Sequence, residues 1–276
     1  MAENCTHDCS TCSQNCGERT AEFDFSVPAN PGSNVKKVIG VVSGKGGVGK
    51  SLVTSLLACA MQKDGHKSAI LDADITGPSI PKGFGIVGQT YATEEGMFPA
   101  RSESGIDIMS INLILDDPTK PVVWRGPVIA GAVKQFWTDV VWGDQEYMFV
   151  DMPPGTGDVT LTVFQSLPLD GIIVVSSPQE LVEMIVEKAV KMADLMNIPV
   201  LGLVENMSYI ACPHCGEKLY PFGESKLQEL SVRYGIEATA ALPIQKEIAE
   251  AVDGGNVEDI DASLWLEPVL SAIRSI

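Results

Sequence analysis

The sequence is poor in basic residues and has no long apolar run. Its 276 residues include 19 lysines and arginines against 36 aspartates and glutamates, so the net charge is −17. Proteins that bind nucleic acid or anionic membranes need a basic face, and this balance predicts neither as a partner. No run of 18 apolar residues occurs and the first residues are polar, which predicts neither a membrane span nor an export signal. We therefore expect a cytoplasmic protein.

Short apolar runs alternate with longer segments of helical period along most of the chain. Strands are predicted at residues 38–42, 68–71, 105–111, 147–150, 171–175 and 200–204, and helices at 51–62, 127–140, 180–196 and 263–276. This alternation is typical of an α/β fold with a mostly parallel, doubly wound sheet that is covered on both faces. Ligands of such sheets bind at the carboxyl ends of the strands.

The first 34 residues differ from the rest in composition. They are rich in Cys, Ser, Asn, Pro and Gly and have no apolar periodicity. We therefore expect a flexible Cys-rich extension and linker at residues 1–34, followed by one globular domain at residues 35–276.

A glycine-rich stretch at residues 44–51 reads GKGGVGKS and satisfies the pattern G-x-x-x-x-G-K-S/T. It lies between a predicted strand and a predicted helix, which is the setting of a phosphate-binding P-loop. In such a loop glycine N–H groups surround the phosphates, Lys50 neutralises them, and the Ser51 hydroxyl binds Mg²⁺. We predict a site for ATP and Mg²⁺ built from Gly44, Lys45, Gly46, Gly47, Val48, Gly49, Lys50 and Ser51.

Acidic residues follow two of the predicted strands. Asp72 and Asp74 follow one, and Asp151 follows another and precedes a Pro/Gly-rich turn that ends at Asp158. We expect Asp151 to complete the Mg²⁺ site and Asp74 to orient the attacking water. Asp72 and Asp158 are equally compatible with a functional role and with capping of a turn or helix. The N-K-x-D motif of GTPases is lacking at residues 204–208, which read VENMS, so guanine is disfavoured.

Seven cysteines are distributed unevenly. Cys212 and Cys215 form a C-x-x-C pair that supplies half of a four-sulfur site, and a two-fold homodimer would complete the set. The spacing fits a [4Fe-4S] cluster or zinc, and a redox dithiol is a further alternative. Cys59 is expected to be a core residue. A second cluster, zinc or a redox-labile tail would each explain the N-terminal group of Cys5, Cys9, Cys12 and Cys16.

Several motifs together resemble the Mrp/ApbC family of iron–sulfur cluster carriers. They lie at residues 44–51, 72–79, 124–127, 151–158, 204–209 and 212–215. The resemblance implies a homodimeric ATPase that holds a [4Fe-4S] cluster between its subunits and passes it to apo iron–sulfur proteins.

Because it has an extra lysine, Lys45, the loop resembles the deviant Walker A signature of the MinD and nitrogenase iron protein class. This resemblance implies that Lys45 reaches the nucleotide of the partner subunit. The resemblance also implies that Asn206 contacts adenine and that a loop around Leu242 and Pro243 lies near the base. The N-terminal cysteines are similar to the cluster-binding extension of eukaryotic cytosolic relatives, although their spacing differs. The predicted catalytic group is Lys45, Lys50, Asp74 and Asp151.

Three other functions fit parts of the pattern. A MinD/ParA-like positioning ATPase would bind membrane or DNA, but it requires a basic tail or surface and leaves the cysteines unexplained. A metal-insertion ATPase would be distinguished by metal analysis. A structural zinc protein would bind zinc and turn over no ATP.

Overall fold

The computed structural model describes residues 26–75, 77–115, 124, 126–155, 157–178 and 182–276, without the side chains at positions 158, 182, 183 and 185. The strands are β1 (Ser33–Ser43), β2 (Ser68–Asp72), β3 (Ala92–Thr93), β4 (Gly96–Met97), β5 (Ala100–Arg101), β6 (Asp107–Met109), β7 (Gly143–Asp151), β8 (Gly171–Ser176), β9 (Val200–Ala211), β10 (Lys218–Leu219) and β11 (Thr239–Pro243). The helices are α1 (Lys50–Lys63), α2 (Ile80–Gly83), α3 (Gly126–Thr138), α4 (Asp158–Ser166), α5 (Val182–Leu195), α6 (Leu227–Tyr234), α7 (Lys246–Asp253) and α8 (Ser263–Arg274), with 3₁₀ turns at Ile111–Leu113 and Val257–Asp259.

The main sheet has the strand order β10-β9-β8-β1-β7-β2-β6-β5, and β11 pairs with β9. Its central pairs are parallel, whereas β5 and β10 run antiparallel to their neighbours. In register, Asp151 of β7 lies beside Val41 of β1 on one side and beside Asp72 of β2 on the other. The predicted mostly parallel sheet is confirmed, and its order brings the two acidic strand ends together.

Helices cover both faces of the sheet, as the apolar runs predict. One apolar cluster joins the sheet to α3, α4, α5 and α6, and the other joins it to α1 and α8. In β1, Val38 and Val42 belong to the first cluster, and Ile39 and Val41 belong to the second. This alternation is expected of a strand whose side chains point to opposite faces.

The last helix packs on the sheet. The side chains of Leu266, Val269, Leu270 and Ile273 in α8 are completely buried, and the helix contacts β9 and β11. The helix predicted at residues 263–276 is confirmed, and its apolar side docks on the sheet. Of the helices in the described ranges, none is long and apolar enough to cross a bilayer.

The segment before β1 is part of the folded body. The N–H group of Val27 donates to the carbonyl of Ser166 at 3.0 Å, and the Trp137 indole donates to the carbonyl of Val27 at 2.8 Å. Val27 and Ala29 also pack against the first apolar cluster. The described part of the expected linker, from residue 26 to residue 33, is therefore docked, because the apolar side chains of Val27 and Ala29 and the hydrogen bonds of Val27 attach it to the ends of α3 and α4.

Candidate functional site

The glycine-rich loop connects the end of β1 to the start of α1, as the sequence predicts. Gly47 and Gly49 have positive φ values of 80° and 81°, which side chains rarely tolerate. A Cβ atom at Gly49 would lie 2.1 Å from Nδ2 of Asn206, whereas one at Gly46 or Gly47 would meet nothing within 4 Å. The backbone of this loop is therefore open on the side of Gly46 and Gly47 and tightly packed at Gly49.

Asp151 is the centre of a buried polar cluster at the start of α1. Its Oδ1 atom lies 2.6 Å from Nζ of Lys50, and its Oδ2 atom accepts a hydrogen bond from Ser51 Oγ at 2.5 Å. Thr54 Oγ1 donates to Oδ1 at 3.0 Å. Asp151 is completely buried and Lys50 is 5% exposed, so solvent screens this ion pair little.

The other two strand-end carboxylates flank the same lysine. Asp74 Oδ2 lies 3.7 Å from Lys50 Nζ. Asp72 is completely buried, and it accepts hydrogen bonds from the Ser110 hydroxyl at 2.9 Å and the Asp74 N–H at 3.2 Å. Burial, followed by the nearby Asp151 carboxylate, raises the pKa of Asp72 well above its usual value. Asp72 thus holds the backbone that leads to Asp74, which fits the capping alternative that the sequence leaves open.

The donor set at Ser51 and Asp151 fits a magnesium ion. A hydroxyl and a carboxylate oxygen lie 2.5 Å apart at the first turn of α1, and Mg²⁺ prefers oxygen ligands of this kind. Lys50 holds the other oxygen of the same carboxylate, so the cation and the lysine would share Asp151.

Two further loop contacts concern residues expected near the nucleotide. Lys45 is half-buried, and its carbonyl accepts a hydrogen bond from the Ser43 hydroxyl at 3.0 Å. Asn206 of β9 is buried, and its amide donates to the carbonyl of Val48 at 3.0 Å. Asn206 therefore supports the loop backbone, and its contact with adenine stays a prediction.

The expected loop around Leu242 and Pro243 is in fact the end of strand β11. The side chain of Leu242 is completely buried in the apolar cluster of α1 and α8. The loop prediction is therefore wrong. Among the described strands β11 pairs with β9 alone, and a proline is tolerated at the last position of such an edge strand. Proximity of these two residues to the base is still a prediction.

The C-x-x-C pair lies at the tip that follows β9. The N–H of Cys212 donates to the carbonyl of Glu217 at 2.8 Å, and the N–H of Gly216 donates to the carbonyl of Cys212 at 2.9 Å, which closes a tight turn back into β10. Cys212 is half-buried and Cys215 is exposed, and both are free thiols. Hydrogen bonds from the backbone at Cys215 and then His214 lower the pKa of Cys212.

The two cysteines at this tip do not by themselves form a set of metal ligands. Within the described part of the chain, no group of three or more His, Cys, Asp or Glu side chains is arranged to hold a metal ion. Metal binding by Cys212 and Cys215 therefore stays a prediction, and it requires ligands from elsewhere.

The remaining cysteines fall into two groups. Cys59 is 2% exposed in α1, and burial raises its pKa to about 12, which confirms it as a core residue. The predicted group Cys5, Cys9, Cys12 and Cys16 lies outside the described residues.

A family model supplies the identification. The ParA model, described as NUBPL iron-transfer P-loop NTPase, matches residues 34–273. The chain belongs to this family. The membership confirms both the P-loop fold and the resemblance to iron–sulfur carriers that the motifs carry.

Curated relatives of this iron-transfer P-loop NTPase have a consistent name. An iron-sulfur cluster carrier protein of Clostridium perfringens is 44% identical over 245 residues, which are 85% of this chain and 86% of the relative. A protein of the same name from Methanocaldococcus jannaschii is 43% identical over 262 residues, which are 92% of this chain and 90% of the relative.

Solved structures agree with the fold. One is a nucleotide-binding protein from Archaeoglobus fulgidus in complex with ADP, in which cobalt was found. It is 44% identical to this chain, with a TM-score of 0.75, and the match covers 82% of this chain and 89% of that protein. The MinD cell division protein of Aquifex aeolicus is 17% identical with a TM-score of 0.58, covering 87% of this chain and 95% of its own. The second likeness concerns the fold alone.

Two polar residues of this NTPase site are not marked by any motif. Thr54 contacts Asp151 because it lies one helical turn after Lys50, on the same face of α1. The i, i+4 spacing from Lys50 could therefore have predicted this contact from the sequence. Ser110 reaches Asp72 only through the pairing of β6 with β2, for which the sequence has no local signal.

Proposed function

We propose that this chain is an ATP-hydrolysing carrier that binds a [4Fe-4S] cluster and transfers it to apo iron–sulfur proteins. The observation that carries the proposal is that strand β9 contacts the P-loop and leads directly to the cysteine pair. Asn206 and Cys212 are six positions apart, at the middle and just past the end of β9. The shared name of relatives that are 43–44% identical supports the same activity.

The nucleotide half of the proposal rests on the charges around the loop. Lys50 is held between Asp151 and Asp74, where its ammonium group would neutralise the β and γ phosphates. The open backbone at Gly46 and Gly47 and the first turn of α1 would donate N–H groups to the phosphate oxygens. Ser51 and Asp151 would hold Mg²⁺, which neutralises phosphate charge when bound.

Hydrolysis requires a group that orients water at the γ phosphate. Asp74 lies 3.7 Å from the lysine that would hold this phosphate, so its carboxylate is suited to orient the attacking water. Lys45 lies half-buried in the same loop, and we assign it the role of stabilising transition-state charge on the nucleotide of a partner copy.

The cluster half of the proposal requires two chains. A [4Fe-4S] cluster needs four thiolates, and Cys212 and Cys215 are two. A two-fold axis that passes beside the β9–β10 tip would bring the same pair from a second copy and complete the set. ATP would drive release if it favours the dimer geometry that holds the cluster less tightly.

Anaerobic reconstitution with iron and sulfide tests the proposal. Cys5, Cys9, Cys12 and Cys16 are first replaced by serine, so that any cluster must bind elsewhere. In this background we expect about two iron atoms per chain and transfer to an apo-enzyme that requires a [4Fe-4S] cluster.

The test compares two further variants in that background. Adding Cys212→Ser and Cys215→Ser should abolish iron loading and transfer, whereas adding Cys59→Ala should leave both unchanged because Cys59 lies in the core. Equal transfer by the double serine variant would refute the cluster site.

A further inference from the structure

Asp72 and Ser110 form a buried pair beside the ATP site that the proposed mechanism does not use. We propose that they are positioning residues that hold Asp74 in place for ATP hydrolysis. The inference rests on the proposed ATPase activity and assigns roles to two residues that do not themselves face the nucleotide.

Both carboxylate oxygens of Asp72 are occupied by specific donors. Oδ2 accepts from the Ser110 hydroxyl at 2.9 Å, and Oδ1 accepts from the N–H of Asp74 at 3.2 Å. Asp72 and Ser110 are both completely buried. A buried hydroxyl and a buried carboxyl that satisfy each other define one arrangement, since either group without its partner would lose its solvation.

The two neighbouring strands fix the segment that contains Asp74. On one side, the N–H of Ala73 donates to the backbone carbonyl of Asp151 in β7 at 2.9 Å. On the other side, Ser110 follows the last residue of β6 and holds Asp72. The segment at residues 72–74 is thus attached to β7 through its backbone and to β6 through the Asp72 side chain.

This attachment determines where the Asp74 carboxylate lies. The chain turns at Ala73, and the hydrogen bond from the Asp74 N–H to Asp72 fixes that turn. As a result, Oδ2 of Asp74 lies 3.7 Å from Nζ of Lys50. A group that orients water loses rate steeply when it is displaced by about 1 Å, so a loosened turn would affect hydrolysis more than binding.

The experiment measures steady-state ATP hydrolysis by the full chain without cluster. We expect Ser110→Ala to lower kcat about tenfold while KM for Mg-ATP changes less than about threefold. Ser110→Thr retains the hydroxyl and should keep kcat within about threefold of the wild type. A thermal melt of each variant reports whether it is folded.

A double-variant cycle with Asp74→Asn distinguishes positioning from a general structural role. If Ser110 acts through Asp74, then Ser110→Ala should lower single-turnover hydrolysis less than about twofold in the Asp74→Asn background. The inference is overturned if the tenfold loss recurs there, if KM rises in proportion to the loss in kcat, or if Ser110→Thr is as impaired as Ser110→Ala.

The outcome is separable from that of the carrier proposal. A wild-type chain that hydrolyses ATP but never loads a cluster would refute the carrier function and leave these rates interpretable. A wild-type chain with no ATPase activity would overturn both the inference and the ATPase part of the proposal.

Discussion

Replacing Gly49 by alanine tests how the P-loop is packed against β9. The φ value of 81° costs a residue with a side chain about 1–2 kcal/mol. The new Cβ atom would lie 2.1 Å from Nδ2 of Asn206, so this side chain must move and lose its hydrogen bond to Val48, worth about 0.5–1.5 kcal/mol. We therefore expect Gly49→Ala to lower the free energy of unfolding by about 1.5–3.5 kcal/mol in total.

The measurement is urea unfolding of the nucleotide-free protein, with Gly46→Ala as the matched control. Gly46 lies three positions earlier in the same loop, and a Cβ atom there meets nothing within 4 Å. We expect that control to change the free energy of unfolding by less than about 0.5 kcal/mol.

Asn206→Ala completes a double-variant cycle with Gly49→Ala. Both single variants lose the same hydrogen bond to Val48, so the double variant should be less destabilised than the sum of the two by about 1 kcal/mol. Strictly additive losses, or equal effects of alanine at Gly46 and Gly49, would refute the assigned contact.

Three other predictions follow from the site. Because hydrogen bonds lower the pKa of Cys212, this thiol should react with iodoacetamide faster than Cys215 at pH 7, whereas the buried Cys59 should stay unmodified. Peptide mass spectrometry measures the three rates, and a faster reaction of Cys59 would contradict its burial. The raised pKa of Asp72 means that the stability contributed by its protonated form is fully present below pH 3.8 and is lost as pH rises through the folded-state pKa. The free energy of unfolding gained by Asp72→Asn, measured in urea, should therefore be larger at pH 8 than at pH 5. A gain that does not depend on pH would argue against a buried titrating group. Lys45→Ala should lower kcat about a hundredfold or more with little change in binding of a non-hydrolysable ATP analogue; a monomeric chain with full activity would exclude a role in trans.

Local chemistry was predictable where a few consecutive residues carry it. The P-loop requires glycines, a lysine and a serine at fixed spacing, and the structure brings Lys50 and Ser51 to Asp151, the carboxylate that the sequence assigns to them. The two aspartates that follow the predicted strands, Asp72 and Asp151, are also adjacent, because β2 and β7 pair in that register.

Contacts between distant segments had no such signal. Ser110 lies 38 positions from Asp72, and only the pairing of β2 with β6 joins them. The strand β9 is longer than its apolar run because the polar residues Glu205, Asn206 and Ser208 are buried, and Ser208 donates to Glu205 at 2.6 Å. Polar residues inside a strand hide it from a pattern of apolar positions, since tertiary partners replace water.

The length of β9 sets how far the P-loop contact lies from the cysteine pair. Asn206 donates to the P-loop backbone, and Cys212 follows six positions later, just past the end of β9. Between them Met207 has a left-handed φ of 57°, and the pairing of β9 with β11 shifts register. Six residues of fully extended strand span about 20 Å, which is an upper bound on the distance from Asn206 to Cys212 along β9. For the proposed cluster at Cys212 and Cys215, we expect any effect of ATP to be transmitted by movement of the chain or of a second copy.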